Sequence, residues 1–349
     1  MKLRVAGVAA ILTLAVTVHG GPRDPRELPV SRSAGPALVE RSAYLMGTRV
    51  RLLTWDGSRD GGLARLERAL ATLEETEGEL STWRDDSAIA ALNRSPVGTP
   101  WPASPAICQM FSVLSEWQTA SGGAFDPSIG RLLQAWDIHG RGRIPSTQDL
   151  AHARAASGFR HLDFDGVRCT VTRRADVAID VGAFGKGEAL DRLEQRLGDQ
   201  PWMVDLGGQV SVHGVPPGRG GWPVSIAHPL DRQRATVEVT LRAGSLSTSA
   251  GSERDLFVDG RRISHHLDPR TGGPVTFDGS VTVWHRRALV ADILSTALFV
   301  MGPDEGLRWA ESRGIAAGYL VPTWDREVSM RATAAFRRSV LFSMERSSR

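Results

Sequence analysis

A glycine-rich turn carries the residue types with the clearest chemical meaning. Residues 180–191 read DVGAFGKGEALD, with three glycines and one lysine between a predicted apolar strand and a predicted helix. Because glycine lacks a Cβ, Gly182, Gly185 and Gly187 let the backbone come close to a ligand. Lys186 stands at the start of the helix, where unpaired N–H groups and the helix dipole favour an anion. The segment therefore predicts an anion site, although it does not match the GxxxxGK[ST] phosphate-loop pattern.

A carboxylate and a hydroxyl share one face of a later helix. Asp292 and Thr296 are four residues apart, which places their Cβ atoms roughly 5–6 Å from each other. The surrounding helix is apolar, so a lone aspartate there would be costly to bury unless it were paired or metal-bound. An all-oxygen donor set suits a hard cation such as Mg²⁺. The alternative, which this pair favours when taken alone, is an aspartate that caps a neighbouring turn or pairs with an arginine.

Several familiar catalytic patterns are absent from the sequence. No GxSxG elbow supports a serine hydrolase, and the nine histidines form no HExxH zinc pattern. The DLGGQV segment at 205–210 lacks the third glycine of the dinucleotide fingerprint. The remaining polar, glycine-rich segments are MGTR at 46–49, STWRDDSAIAALN at 81–93, SGGAFDPSIG at 121–130, STSAGSERD at 247–255, HHLDPRTGGP at 265–274 and ADILST at 291–296.

Hydrophobic periodicity places these segments between helices and strands. Helices and strands are mixed without a regular βαβ repeat, which favours an α+β, or mixed α/β, fold with mixed sheets, flanking helices and one continuous core. The predicted helices cover about 63–73, 105–121, 186–196, 288–301 and 303–314, and the predicted strands cover 44–55, 177–181, 202–205, 222–227, 236–241 and 280–284.

The first forty residues differ in composition from the predicted folded domain. Residues 1–20 have two basic residues, an apolar run and small residues, which together are typical of a secretory signal. The alternative is an uncleaved N-terminal anchor. Residues 21–40, rich in Pro, Ser and charge, predict a flexible tether, and residues 41–340 then form the folded domain. We expect an exported protein, periplasmic or on the outer face of the cytoplasmic membrane.

The net charge bears on the class of binding partner, and the two cysteines raise the question of a disulfide. The formal net charge is only +3, and no basic stripe with interleaved aromatics is present, so nucleic acid is not an expected partner. Cys108 falls in a predicted helix and Cys169 in a predicted strand. One disulfide is conceivable in an exported chain, but two free, buried thiols are the preferred interpretation.

Taken together and in this order, the polar segments resemble the ApbE family of exported FAD:protein FMN transferases, from Met46 to Gly302. The resemblance rests on the MGT entry, GGAFDPS, D-x-G-x-x-x-KG, the H-x-x-DPxTG loop and the AD-x-x-x-T helix. It implies a single α+β domain that binds FAD and Mg²⁺, moves FMN onto a threonine or serine of an acceptor protein, and releases AMP. The implied acceptor is a membrane-associated redox subunit.

The resemblance also implies roles for individual residues. Asp292, Thr296 and the backbone carbonyl of Ala183 would hold the metal, with Ser295 as a further candidate ligand. Trp83 and Phe125 would offer stacking faces for planar rings. The residues implied at the FAD site are Met46, Trp83, Ala124, Phe125, Asp126, Asp180, Lys186 and Leu267.

His265 matches the histidine of the family's H-x-x-DP loop. Histidine is the natural base near neutral pH, so we expect His265 to take the acceptor hydroxyl's proton, with Asp268 or Asp292 as alternatives. The chain departs from the family where His266 replaces an aliphatic residue. Two alternative functions use the same pocket: a Mg²⁺-dependent pyrophosphatase that splits FAD into FMN and AMP, and a flavin-binding protein without turnover.

Overall fold

The computed structural model describes residues 36–251, 255–325 and 327–344. The predicted secretory signal at 1–20 lies outside this range, as does most of the predicted tether. The first strand begins at Ala37, so residues 37–40 belong to a sheet rather than to the tether predicted at 21–40. None of the helices in the described ranges has the length and apolarity needed to cross a membrane.

Helix boundaries follow local capping signals. Ser104 accepts a hydrogen bond from the backbone of Ile107 at the start of one helix, and Gly198, with φ of 66°, follows the end of another. The last long helix is interrupted at Gly302, whose φ is 73°, so the sequence correctly separated its two halves. The helices are α1 Arg59–Leu80, α2 Ala88–Arg94, α3 Pro105–Ala120, α4 Gly130–Trp136, α5 Thr147–Ala155, α6 Gly185–Leu197, α7 Ala288–Ser312 and α8 Ala334–Ser339.

The strands form antiparallel sheets. The largest has eight strands in the order β1-β2-β6-β7-β10-β13-β14-β15, and three smaller sheets have the orders β16-β9-β8, β3-β5-β4 and β11-β12. The strands are β1 Ala37–Leu45, β2 Thr48–Asp56, β3 Pro100–Pro102, β4 Leu162–Asp165, β5 Thr170–Arg173, β6 Trp202–Leu206, β7 Gln209–His213, β8 Trp222–His228, β9 Asp231–Leu241, β10 Ala243–Ala250, β11 Leu256–Val258, β12 Arg261–Ile263, β13 Ser280–His285, β14 Ala316–Pro322, β15 Val328–Ala332 and β16 Leu341–Met344.

The eight-stranded sheet is buried on both faces. Successive side chains of a strand point to opposite faces, and in β2 Leu52 packs with α1 and α6 whereas Leu53 packs with β8 and β9. Helix α7 covers the β13–β14 part of the sheet through Leu294 and Leu298. The predicted mixed α/β class with flanking helices is confirmed, and residues 36 onward lie in one compact unit.

One strand prediction was partly confirmed and another was wrong. Most of the predicted strand at 44–55 is β2, but Met46 and Gly47, with φ of 52° and 67°, turn the chain, so that residues 44–45 belong to β1. The apolar run 177–181 is buried but joins no sheet. Its backbone is satisfied by Asn93, whose amide bonds both the N–H and the carbonyl of Ile179, and by the loop after Phe125.

The prediction of two free thiols was also wrong. Cys108 on α3 and Cys169 form a disulfide, with 5.3 Å between their Cα atoms. Cys169 lies in the turn that precedes β5, with φ of 51°, rather than in a strand. The β4–β5 turn therefore faces the helix, which the sequence spacing alone did not reveal.

Candidate functional site

The glycine-rich turn and the Asp292 helix meet at the start of α6. Lys186 Nζ lies 3.2 Å from one carboxylate oxygen of Asp292, and the backbone N–H of Gly187 donates to the other at 3.0 Å. The Asp292 carboxylate thus occupies the N-terminal end of α6, where the helix dipole favours negative charge. Asp292 is buried and Lys186 is about 29% exposed at its side chain. The structure therefore brings the predicted anion-binding turn and the predicted metal-binding aspartate together.

A buried row of serine hydroxyls surrounds Asp292. Ser247 and Ser249 project from the same side of β10 toward α7, because alternate residues of a strand share a face. Ser247 donates to Asp292 at 3.3 Å, and the Ser295 hydroxyl lies 3.1 Å from that of Ser247 and 3.0 Å from that of Ser249. Carboxylate and hydroxyl oxygens therefore concentrate at one point between α6, α7 and β10.

The other predicted metal ligands lie beside this cluster. Thr296 is half-buried on α7, and Ala183 lies in the turn before α6. The first backbone bond of α6 runs from Glu188 N–H to Phe184, and the Gly187 N–H, which would ordinarily reach the Ala183 carbonyl, donates to Asp292 instead. In the described part of the chain no group of three or more His, Cys, Asp or Glu side chains could hold a metal. A cation at this position would therefore depend on hydroxyl and carbonyl oxygens as well as on Asp292.

Gly187 has a packing role that the sequence did not indicate. A Cβ on this residue would lie 2.5 Å from the Ala288 carbonyl oxygen and 2.7 Å from Leu289 Cα. The glycine is needed because α6 and α7 approach each other closely here, not to make room for a ligand. By contrast, a Cβ at Gly182 would meet only the Asp180 side chain.

An aromatic group lies over the beginning of the same turn. The Trp83 ring is 73% exposed and stands edge-on to the His139 ring, with 5.2 Å between their centroids. His139 Nε2 lies 3.1 Å from Asp180 Oδ2, and the other Asp180 oxygen accepts the Gly182 N–H. His139 was missed in the sequence because its segment, AWDIHGRGR, carries no recognised pattern. Together these residues form a polar corner with one exposed aromatic face.

The residues predicted from the GGAFDPS segment are largely buried. Phe125 is 1% exposed within the core formed with α2 and α3, so it does not offer the stacking face that we expected. Ala124 is also 1% exposed. Asp126 accepts the backbone N–H groups of Ser128 and Phe159, and burial raises the pKa of its carboxyl. Contact of this segment with a ligand would therefore involve its backbone more than its side chains.

Two further residues predicted at the FAD site have different surroundings. Met46 occupies the β1–β2 turn, and its methyl group approaches the position that a Cβ on Gly185 would take, at 3.9 Å. Leu267 is buried in the apolar cluster around α4 and bridges to Pro274. Met46 therefore borders the glycine turn, whereas the Leu267 side chain packs in the interior.

His265 is held by a buried carboxylate. Asp255 Oδ1 lies 2.9 Å from His265 Nδ1 and also accepts the backbone N–H of His265 at 3.1 Å. Asp255 was quoted in its segment but received no role. The signal that could have found it is the Asp-Gly turn at 259–260, which predicts a hairpin and so brings residues 255 and 265 together. The β11–β12 pairing of Leu256 with Ile263, extended by one residue, places Asp255 opposite Ser264, which precedes His265.

Helix α7 connects the histidine to the aspartate cluster. The His266 ring packs on Phe299, with 4.6 Å between ring centroids, and the His265 and His266 rings are 4.0 Å apart. Phe299 lies seven residues after Asp292 on the same helix face, a distance of about 10 Å along the axis. The two parts of the site are therefore arranged along one rigid element.

A separate cleft borders α6 outside this site. A cleft of about 530 Å³ opens between α3, α6 and the start of α7. Burial raises the pKa values of Asp191 and Glu194, two of its carboxyls. An acidic lining is poorly suited to a polyphosphate, so the candidate site remains the one formed by Lys186 and Asp292. The cleft is lined by Gln109, Ser112, Asp191, Glu194, Gln195 and Arg287.

A family model and the sequences of known proteins indicate the same family. Residues 46–319 match the model of the ApbE family. A FAD:protein FMN transferase of Klebsiella pneumoniae (strain 342) is 30% identical over 327 residues, which cover 90% of this chain and 91% of that relative. Another, from Treponema pallidum (strain Nichols), is 32% identical over 331 residues, which cover 88% of this chain and 91% of that relative.

Solved structures agree with the sequence comparison. The apo form of the Pseudomonas stutzeri flavinyl transferase ApbE superposes with a TM-score of 0.76 at 32% identity, covering 87% of this chain and 97% of that one. The match to the family model, residues 46–319, contains all the site segments described above, from the β1–β2 turn to α7. The chain therefore belongs to the ApbE family.

Proposed function

We propose that this protein transfers the FMN part of FAD to a hydroxyl group of an acceptor protein and releases AMP. The observation that carries the proposal is the contact between Lys186 and Asp292, which unites an anion-binding helix start with a metal-type carboxylate in one site. The names of the relatives support the same activity, because they are FAD:protein FMN transferases.

The donor atoms around Asp292 fit Mg²⁺. Asp292 would supply a carboxylate, Ser295 and Thr296 hydroxyls, and Ala183 a backbone carbonyl. Hard cations prefer such oxygen ligands. The buried row of hydroxyls directed at Asp292 supports this assignment. A bound Mg²⁺ would neutralise charge that develops on the phosphate oxygens during transfer.

The chain's own residues would bind and orient FAD. The Lys186 ammonium would donate to pyrophosphate oxygens, aided by the first N–H groups of α6. The exposed Trp83 ring offers a stacking face, and Asp180 can accept hydrogen bonds from a ring edge. Met46 borders the turn that would approach the phosphates.

The group-transfer step is a displacement at phosphorus. The acceptor threonine or serine oxygen forms a bond to the FMN phosphorus, and the bond from that phosphorus to the bridging oxygen breaks. AMP leaves with the bridging oxygen, and the hydroxyl proton passes to Nε2 of His265. We favour His265 over the alternatives because Asp268 is bound by Arg270 and Asp292 is bound by Lys186 and Gly187.

The disulfide and the N-terminal segment bear on the location of the protein. The Cys108–Cys169 disulfide supports an oxidising compartment, in line with a secretory signal at residues 1–20. We therefore place the protein outside the cytoplasmic membrane, in the periplasm or on the membrane's outer face. A membrane-associated redox subunit is the proposed acceptor.

The proposal is tested by following both products of FAD. The purified protein is incubated with FAD, MgCl₂ and candidate acceptor subunits, with EDTA and His265→Ala reactions as controls. We expect AMP in amounts equal to FMN attached to a threonine or serine, located by mass spectrometry of acceptor peptides. AMP with an equal amount of free FMN would instead identify a pyrophosphatase, and FAD binding without AMP would identify a binding protein.

A further inference from the structure

A buried aspartate contacts His265 in a way that controls its ring. Asp255 Oδ1 accepts two hydrogen bonds from the same residue, one from the His265 backbone N–H and one from Nδ1. The Asp255 side chain is fully buried, whereas that of His265 is about 22% exposed. The carboxylate therefore fixes both the position of the histidine backbone and the rotation of its ring.

The charge state of Asp255 determines which ring nitrogen carries a proton. Burial alone would raise the pKa of this carboxyl, but the hydrogen bonds from the His265 ring and backbone outweigh it and the pKa is lowered. Arg262 adds positive charge, with its Nε 3.6 Å from Asp255 Oδ2. An ionised carboxylate can only accept, so Nδ1 must carry hydrogen. Nε2 is then the nitrogen with an available lone pair.

We propose that Asp255 is the positioning residue that holds His265 in the Nδ1-protonated form, so that Nε2 accepts the acceptor hydroxyl's proton. This rests on the proposed transferase function. The general base is thereby aimed by a buried carboxylate on the segment that enters the β11–β12 hairpin. The same carboxylate stabilises the positive charge that the imidazole gains when it takes the proton.

The β11–β12 hairpin links the proposed positioning residue to the proposed base. Asp255 directly precedes Leu256, and His265 follows Ile263 by two residues, so the pairing of Leu256 with Ile263 brings the aspartate and the histidine close together. The His265 ring is also tilted against the His266 ring, which packs on Phe299 of α7. His265 is thus held between the hairpin and the helix that carries Asp292.

The first test uses Asp255→Asn in the full chain. One oxygen of Asp255 accepts both bonds, so in the amide either that oxygen keeps both without the charge, or the NH₂ group takes its place, favours the wrong tautomer and leaves the His265 backbone N–H without its acceptor. We expect FMN transfer to fall roughly 100-fold or more, while FAD affinity stays within about twofold. Asp278→Asn is the matched control, because Asp278 is an exposed partner of Arg262 that does not touch His265. Its transfer rate should equal that of the unmodified protein.

A second measurement does not depend on turnover or on the folding of Asp255→Asn. Nitrogen NMR of the protein labelled in histidine, with His265 assigned by His265→Gln, reports which ring nitrogen is protonated. We expect Nδ1–H in the unmodified protein. An Nε2–H ring, or full transfer by a folded Asp255→Asn variant, would overturn the proposal. If no FMN transfer occurs at all, the transferase function fails, whereas the NMR result still decides the role of Asp255 in fixing the ring.

Discussion

At Asp292 the two interpretations left open by the sequence turn out to be compatible. The aspartate does pair with a cation, Lys186 rather than an arginine, and it also lies among oxygen donors suited to a metal. Burial of a lone carboxylate is costly, and here the Lys186 ammonium, the Gly187 N–H and the Ser247 hydroxyl offset that cost. A ligand that draws Lys186 toward its phosphates would leave Asp292 to be compensated by a cation.

Removing the charge of Asp292 should abolish catalysis. In Asp292→Asn the amide still accepts the Gly187 N–H, but the proposed metal site loses its carboxylate and Lys186 loses its charged partner. A metal supplies several kcal/mol of charge stabilisation, so AMP release from FAD should fall roughly 100-fold or more. Chromatographic assay of AMP over a range of MgCl₂ concentrations measures the effect. Stability should fall by about 1–3 kcal/mol, measured by urea unfolding.

Asp304→Asn is the matched control for that substitution. Asp304 lies further along α7, and its carboxylate pairs with Arg331 at a side-chain exposure of about 75%. Exposed ion pairs contribute about 0–1 kcal/mol, so this variant should unfold and turn over almost as the unmodified protein does. Normal AMP release by Asp292→Asn at saturating magnesium would remove Asp292 from the metal site.

Individual site residues differ in how far the sequence could reveal them. Lys186 and Asp292 stand in short local patterns, and the structure places them in contact. Asp255 needed the hairpin register, and His139 needed the three-dimensional path of the loop after α4, which no local pattern encodes. Phe125 was assigned a stacking face because its type suits that role, but exposure depends on packing that the sequence does not show.

At the scale of elements, the site depends on how closely α6 and α7 approach. Gly187 allows this close contact, because a Cβ added at this residue would overlap the Ala288 carbonyl oxygen. The same glycine donates its N–H to Asp292. The separation of the two helices and the position of the metal-type carboxylate are therefore determined together.

Gly187→Ala should separate these helices and damage the site. The added methyl group meets backbone rather than a flexible side chain, so we expect a loss of about 1–3 kcal/mol in the free energy of unfolding and a large loss of AMP release. Gly78→Ala in α1 is the control, because nothing lies within 4 Å of its added Cβ. A helical Gly→Ala change of that kind should stabilise the protein by about 0.5–1 kcal/mol. Urea unfolding measures both, and equal effects of the two substitutions would contradict the close-packing argument.

Elements with strong local signals were predicted well, and those that depend on partners were not. Periodic leucines and an N-cap serine act within a few residues, so α3 and α6 were found with boundary errors of one residue. Only the central part of α1 was predicted, because the helix extends from Arg59 to Leu80. The run 177–181 has strand composition, but Asn93 satisfies its backbone where a neighbouring strand was expected. Whether a segment joins a sheet depends on whether a neighbouring strand is available, and not only on the segment's own composition.

At the scale of the whole molecule, long-range contacts bring together site residues that are far apart in the sequence. Lys186 and Asp292 are brought together across 106 residues, and His265 reaches α7 through His266 and Phe299. The sequence indicated that its polar segments belonged together only through their order and the resemblance to a family. Their distances from one another follow from the packing of α6, α7 and β10, which only the structure supplies.

The disulfide is the covalent contribution to this assembly. Cys108 and Cys169 are 61 residues apart in sequence, and the bond ties α3 to the β4–β5 turn. Closing a loop of that length in the unfolded chain should stabilise the protein by about 4 kcal/mol in the chain-entropy model. We expect dithiothreitol to lower the urea midpoint of the unmodified protein accordingly. The double variant Cys108→Ser with Cys169→Ser should start at the lower midpoint and show no response to the reductant. An unchanged midpoint in a sample whose two thiols are titrated as fully reduced would contradict a stabilising role for the bond.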